Sequence, residues 1–229
     1  VSTAERSDVV QRAMGYPYAT LSRPFIQLGR RTLDPEEVEV DWSERLAVLA
    51  YGSNAAPEAL GHKLAISTDP VLVVPALLRD FDAVYSAHIS PYGAVPATLQ
   101  RSPGAVVWLH VTYMTPGQLN LVSATEPNYE PAVLEGVDCR LVSGETVLQP
   151  SFFVSRHGCL LIEDHEVALS AVEAIGRTFA ELSEPQALEH VRASTAPTET
   201  IEDFVLANVT DPVLAQSRSA QLPRRPLSS

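Results

Sequence analysis

Cysteine is nearly absent from the chain, with only Cys139 and Cys159 in 229 residues. Neither sits in a CxxC pair or a spaced ligand set, so neither a disulfide scaffold nor a metal centre organises this sequence. Buried free thiols are the expectation, with no metal and no cofactor. Basic residues are scarce as well: 16 Lys plus Arg stand against 28 Asp plus Glu, a formal net charge of −12. That balance lacks the positive footprint of a protein that tracks phosphate backbones, and it excludes nucleic acid as the expected partner. It would not draw anionic substrates either, so a bound carboxylate needs a local arrangement of donors. No apolar run reaches the roughly 18 residues of a membrane span, and the opening VSTAERSDVV has no apolar signal region. The expectation is a cytoplasmic protein without a membrane partner. Internal repeats and low-complexity linkers are also missing.

What is present suits a protein with a substantial core: 45% of residues are hydrophobic and 19% charged. The chain divides into an N-terminal packing arm over 1–45, a compact core over 46–165, and a C-terminal helical extension and tail over 166–229. In the arm, SDVVQRAM reads as a short helix, and Tyr16, Tyr18 and Phe25 are placed to cover an apolar edge. Asp34-Pro35-Glu36-Glu37 reads as a turn or short helix. In the core, PEALGHKL reads as a helix opening near Pro57. The run 70–89 reads as two strands separated by Arg79 and Asp80, and 105–114 as a strong strand between turn clusters SPYG and RSPG and a short helix TPGQLNLVSA. GVDCRLVS and TVLQPSFFVS read as strands joined by a hairpin-like turn at Gly144-Glu145. Apolar spacing at Val167, Val172, Ile175 and Phe179 predicts an amphipathic helix. Further helices follow in PQALEHVRAST, IEDFVLAN and DPVLAQSRSA, and then a fraying tail.

The strongest local signal is LAVLAYGSNAAPEAL over 46–60. Leu46–Ala50 forms a buried strand, Gly52 permits an unusual backbone angle, and Ser53 or Asn54 can cap the next helix. Such a turn offers free backbone N–H groups to an anion, although it can equally be a capping turn alone. A serine nucleophile at Ser53 fits poorly, because GSN lacks the GxSxG elbow and no histidine stands in a supporting motif. His165-Glu166 lacks HExxH spacing and reads as helix N-terminal charge.

A strand ending in Tyr51-Gly52-Ser53-Asn54, followed by several strands and a carboxylate after a short helix, resembles the gamma-glutamylcyclotransferase-like family. Ala55 stands where that family commonly has leucine. The resemblance covers roughly 46–165 and implies an α+β fold, a small mixed sheet or barrel, here with helical extensions. It implies a small-molecule γ-glutamyl substrate and makes Glu126, within Ala124-Thr125-Glu126-Pro127-Asn128-Tyr129, the counterpart of the family's glutamate, with Pro127 where glycine is common. Glu126 then shuttles a proton as the substrate's α-amine closes on its own γ-carbonyl, releasing 5-oxoproline and an amine without a protein nucleophile. Tyr51, Gly52, Ser53, Asn54 and Tyr129 become the substrate-binding residues. Without the resemblance, Glu126 is one turn carboxylate among several, with Glu130 and Glu135 nearby. The alternative is a catalytically silent small-molecule binding module that retains the Tyr51–Asn54 turn. Oligomeric state and the substrate's amine are left open.

Overall fold

Residues 3–227 are described by the structure, a computed structural model. In chain order the elements are α1 (Thr3–Met14), β1 (Phe25–Leu28), β2 (Arg31–Leu33), a 3-10 turn (Pro35–Glu37), β3 (Leu46–Ala50), a second 3-10 turn (Ser53–Ala55) and α2 (Pro57–Lys63). Two long strands follow, β4 (Val71–Tyr85) and β5 (Ala97–Met114), then α3 (Pro116–Ala124) and β6 (Tyr129–Val133). Short strands come next: β7 (Cys139–Leu141), β8 (Ser151–Ser155), β9 (Cys159–Ile162), β10 (His165–Leu169), β11 (Ala174–Ile175) and β12 (Ala180–Leu182). Helices α4 (Glu184–Thr195), α5 (Ile201–Thr210) and α6 (Pro212–Gln221) lead to β13 (Arg224–Arg225).

The fold is α+β, a mixed sheet with helices at both ends of the sequence, as expected. The β4–β5 hairpin is its spine. The far edge of β4 is divided among β1, β7 and β10, while β5 is flanked by β3 and β11. β3 with β8 and β10 with β12 are parallel, and the other pairings are antiparallel. β4 is buried along most of its length, which explains its near-continuous apolar sequence. One apolar cluster includes Val10, Tyr16, Leu49, Tyr85, Leu188 and Phe204, uniting the sheet with α1, α4 and α5. A second gathers Phe25, Val48, Leu60, Leu64, Met114 and Phe153 under α2. Both cysteines are buried and free, and burial pushes their thiols up to about 11 for Cys139 and about 12 for Cys159. No helix among the described residues is long and apolar enough to cross a membrane.

Several local expectations are corrected. The Arg79-Asp80 break does not split 71–85 into two strands: it is a bulge within β4, with Asp80 at φ 62°. RSPG is likewise no turn but lies inside β5 opposite that bulge, where Gly104 donates its N–H to Asp80 Oδ1 at 2.8 Å. The helix expected across Val167–Phe179 is absent. Glu163 and Asp164, at φ 51° and 66°, instead form a two-residue hairpin between β9 and β10, the geometry that matches strand twist. Arg177 then straps the following loop down through Asp82, at 2.7 and 2.9 Å. The Gly144 turn exists, with Arg140 bridged to Thr146, but β8 leaves β7 to pair with β6 and β3. The C-terminal tail docks through β13 on β9, and Arg225 grips Glu166 at 2.7 and 2.8 Å.

Candidate functional site

β3 carries the chain to Tyr51 and stops where Gly52 enters the 3-10 turn, and this edge lines a cavity of about 300 Å³. Gly52 has φ −140° and ψ −143°, a pair outside both the helical and the extended regions, in line with the unusual backbone angle expected of this glycine, and space is tight there too. A Cβ there would lie 2.3 Å from the Tyr16 hydroxyl oxygen. Nor do Ser53 and Asn54 cap α2, whose N-cap is Ala56 without a side-chain hydrogen bond. The amide of Asn54 turns into the cavity instead.

Glu126 reaches the same place from the turn between α3 and β6. The capping box of Thr115 and Gln118 starts α3, and the helix ends at Thr125. Tyr129 then donates its N–H to the Glu126 carbonyl at 3.0 Å, closing a four-residue turn. Pro127 occupies its second position, where a fixed φ is favourable, so the proline suits this turn. Glu126 Oε1 accepts from Asn54 Nδ2 at 3.1 Å and from the Lys63 ammonium, while Lys63 also donates to Asn54 Oδ1 at 2.7 Å. Oε2 has no partner among the described residues. The Lys63 and Glu126 side chains keep only 15% and 17% of their surface accessible, so this triad is shielded without being sealed.

Five tyrosines wall the cavity: Tyr16, Tyr18, Tyr51, Tyr92 and Tyr129. The Tyr129 hydroxyl donates to the Ala97 carbonyl at 2.7 Å, and the Tyr16 hydroxyl accepts the Ala97 N–H at 2.9 Å. The Tyr51 hydroxyl donates to the Phe153 carbonyl. Burial, reinforced by the Glu126 charge, raises the pKa of Tyr16, Tyr51, Tyr92 and Tyr129. They are therefore neutral surfaces with three hydroxyls already engaged, and they leave proton transfer to other groups.

All six residues singled out from the sequence, Tyr51 through Asn54, Glu126 and Tyr129, line this one cavity. The arm adds Arg12, Tyr16 and Tyr18, of which the two tyrosines are expected from the sequence to cover an apolar edge. Lys63 was missed, although it is the only lysine in the chain and follows the motif by one short helix. His88 was missed too, because only the fold brings it to the floor of the cavity.

No protein-family model matches the chain, and no curated protein matches it either. Among solved structures, a gamma-glutamyl cyclotransferase shares 15% identity over 81% of this chain and 92% of its own, with a TM-score of 0.41. A gamma-glutamyl cyclotransferase specific to glutathione from yeast gives 15%, 81%, 93% and 0.36 for the same measures. An Arabidopsis thaliana protein is 21% identical over 52% of this chain, which spans 66% of that protein's length, with a TM-score of 0.38.

Proposed function

We propose that the cavity binds a γ-glutamyl amine and releases 5-oxoproline and the free amine, with Glu126 as base and then acid. The observation that carries this reading is the division of labour on one carboxylate in the cavity lined by the Tyr51–Asn54 turn: Oε1 is tied to Asn54 and Lys63, and Oε2 has no partner among the described residues. A γ-glutamyl head is a zwitterion. Its α-ammonium complements Glu126 Oε2, and its α-carboxylate complements the Lys63 ammonium and the N–H groups opening the turn. The α-ammonium gives up one proton to solvent, and Glu126 takes a second as the nitrogen lone pair attacks the γ-carbon. The same proton then goes to the departing nitrogen as its bond to carbon breaks. The tyrosine walls hold the chain folded for ring closure and exclude bulk water.

Release of 5-oxoproline from a panel of γ-glutamyl peptides and amines tests the reading. Glu126→Gln keeps the size of the side chain and its bond to Asn54, and is expected to abolish turnover. Full turnover by that variant would remove Glu126 from the mechanism, and a silent panel would remove the activity.

The Lys63 contact favours one second reading. An ammonium seated on the carboxylate also suits a module that holds a γ-glutamyl compound without turning it over. Saturable binding by calorimetry with no 5-oxoproline formed would favour that module.

A further inference from the structure

The cavity floor holds a buried histidine that the mechanism so far leaves idle. His88 is 2% exposed and lines the cavity. Its ring stacks on His157, with centroids 4.6 Å apart, and meets Tyr129 edge-on at 5.5 Å. Nδ1 lies 2.8 Å from Ser86 Oγ, which lies 2.5 Å from Ser155 Oγ. The His157 backbone N–H donates to Ser155 Oγ at 3.0 Å.

Counting hydrogens fixes the direction of this chain. Each serine hydroxyl has one hydrogen to donate, and a buried hydroxyl that donates to nothing is costly. Ser155 faces one group that is itself a donor, the His157 N–H, so its own hydrogen goes to Ser86 Oγ. Ser86 must then donate to His88 Nδ1. With Nδ1 an acceptor, the ring proton of the neutral imidazole is on Nε2, which has no partner among the described residues. Burial first, then the charges of His157 and Arg224, push the imidazole well below its ordinary pKa and keep it neutral.

We propose that His88 is a catalytic residue whose Nε2–H donates to the γ-carbonyl oxygen of the substrate and holds the negative charge that develops there. The proposal rests on the cyclotransferase reading of the cavity. As the α-nitrogen bonds to the γ-carbon, the carbonyl π pair moves onto oxygen, and the Nε2–H bond to that oxygen strengthens. When the oxygen lone pair re-forms the carbonyl, the bond to the leaving nitrogen breaks, and that nitrogen takes the proton held by Glu126. His88 keeps its own proton throughout. A preorganised neutral donor in a shielded site stabilises such charge without reorganising at the moment of reaction.

Two measurements test this. In protein labelled with 15N-histidine, His88 is expected to show a protonated Nε2 and an unprotonated Nδ1 across neutral pH. The opposite tautomer would overturn the proposal whatever the enzyme turns over, and whether or not any variant folds. Kinetically, His88→Leu is expected to lower kcat about 100-fold with KM changed only a few-fold, the size seen when one such donor is removed. His88→Gln, which returns an amide donor near the position of Nε2, should recover part of that loss. Wild-type turnover with an unchanged kcat in a folded His88→Leu protein sinks the role of His88 alone. A wild-type protein silent on the whole panel sinks the cyclotransferase reading, and this role with it.

Discussion

Gly52→Ala isolates one contact on which the cavity's edge depends. The added Cβ would meet the Tyr16 hydroxyl oxygen at 2.3 Å, the Tyr16 Cζ at 3.4 Å and the Ala97 Cβ at 3.7 Å. Tyr16 cannot swing clear freely, because it is buried in the main core and its hydroxyl accepts the Ala97 N–H at 2.9 Å. Overpacking of this kind costs about 1–3 kcal/mol. Pulling the hydroxyl off a buried N–H adds about 1–3 kcal/mol. Alanine's smaller unfolded-state entropy returns only about 0.4–1 kcal/mol. The net expectation is a loss of about 1–6 kcal/mol, read as a lower urea midpoint at unchanged slope. Tyr16→Phe removes the struck atom, so Gly52→Ala should cost at least about 1 kcal/mol less in that background. A single variant within about 0.5 kcal/mol of wild type, or full additivity of the pair, would refute the steric account.

Two further outcomes follow from buried charge. Arg177→Met strands Asp82, which is fully buried, and should cost about 3–5 kcal/mol in urea unfolding; a loss below about 1 kcal/mol would show that the Arg177–Asp82 pair does not hold the 170–179 loop. Glu184 is 3% exposed, and burial raises its carboxyl well above the ordinary value. Between the unfolded and the folded pKa the native state binds the extra proton, so stability falls as pH rises above about 4.5, by at most about 1.4 kcal/mol per unit. Glu184→Gln should remove that component from the pH profile of the urea midpoint; parallel profiles for the two proteins would contradict it.

Much of the fold was legible locally. The capped helices at Pro57, Thr115, Ser183, Thr200 and Asp211 announce themselves through proline at the first turn or through a hydroxyl or carboxylate at the cap, and β3 through a plain apolar run. Errors gathered where tertiary partners override local pattern. Spacing over 167–179 mimics a helix, but Val167 and Val172 enter the main core from a strand and a loop, Phe179 packs on the cluster of Val84, Cys159 and Ala168, and Ile175 is exposed. Asp80 breaks the pattern of 71–85 without breaking the strand, since a bulge absorbs one residue.

The same boundary runs through the site. Residue type and order alone determined that Tyr51–Asn54 closes a strand with a turn and that Glu126 follows a short helix, because both are properties of consecutive residues. The sheet decided the rest. It placed Lys63 and Asn54 on one oxygen of Glu126, put the Tyr16 hydroxyl against Gly52, and set Ser155, Ser86 and His88 in a line. Those contacts join residues far apart in the chain, and their chemistry is a matter of distance in space, which no stretch of sequence encodes by itself.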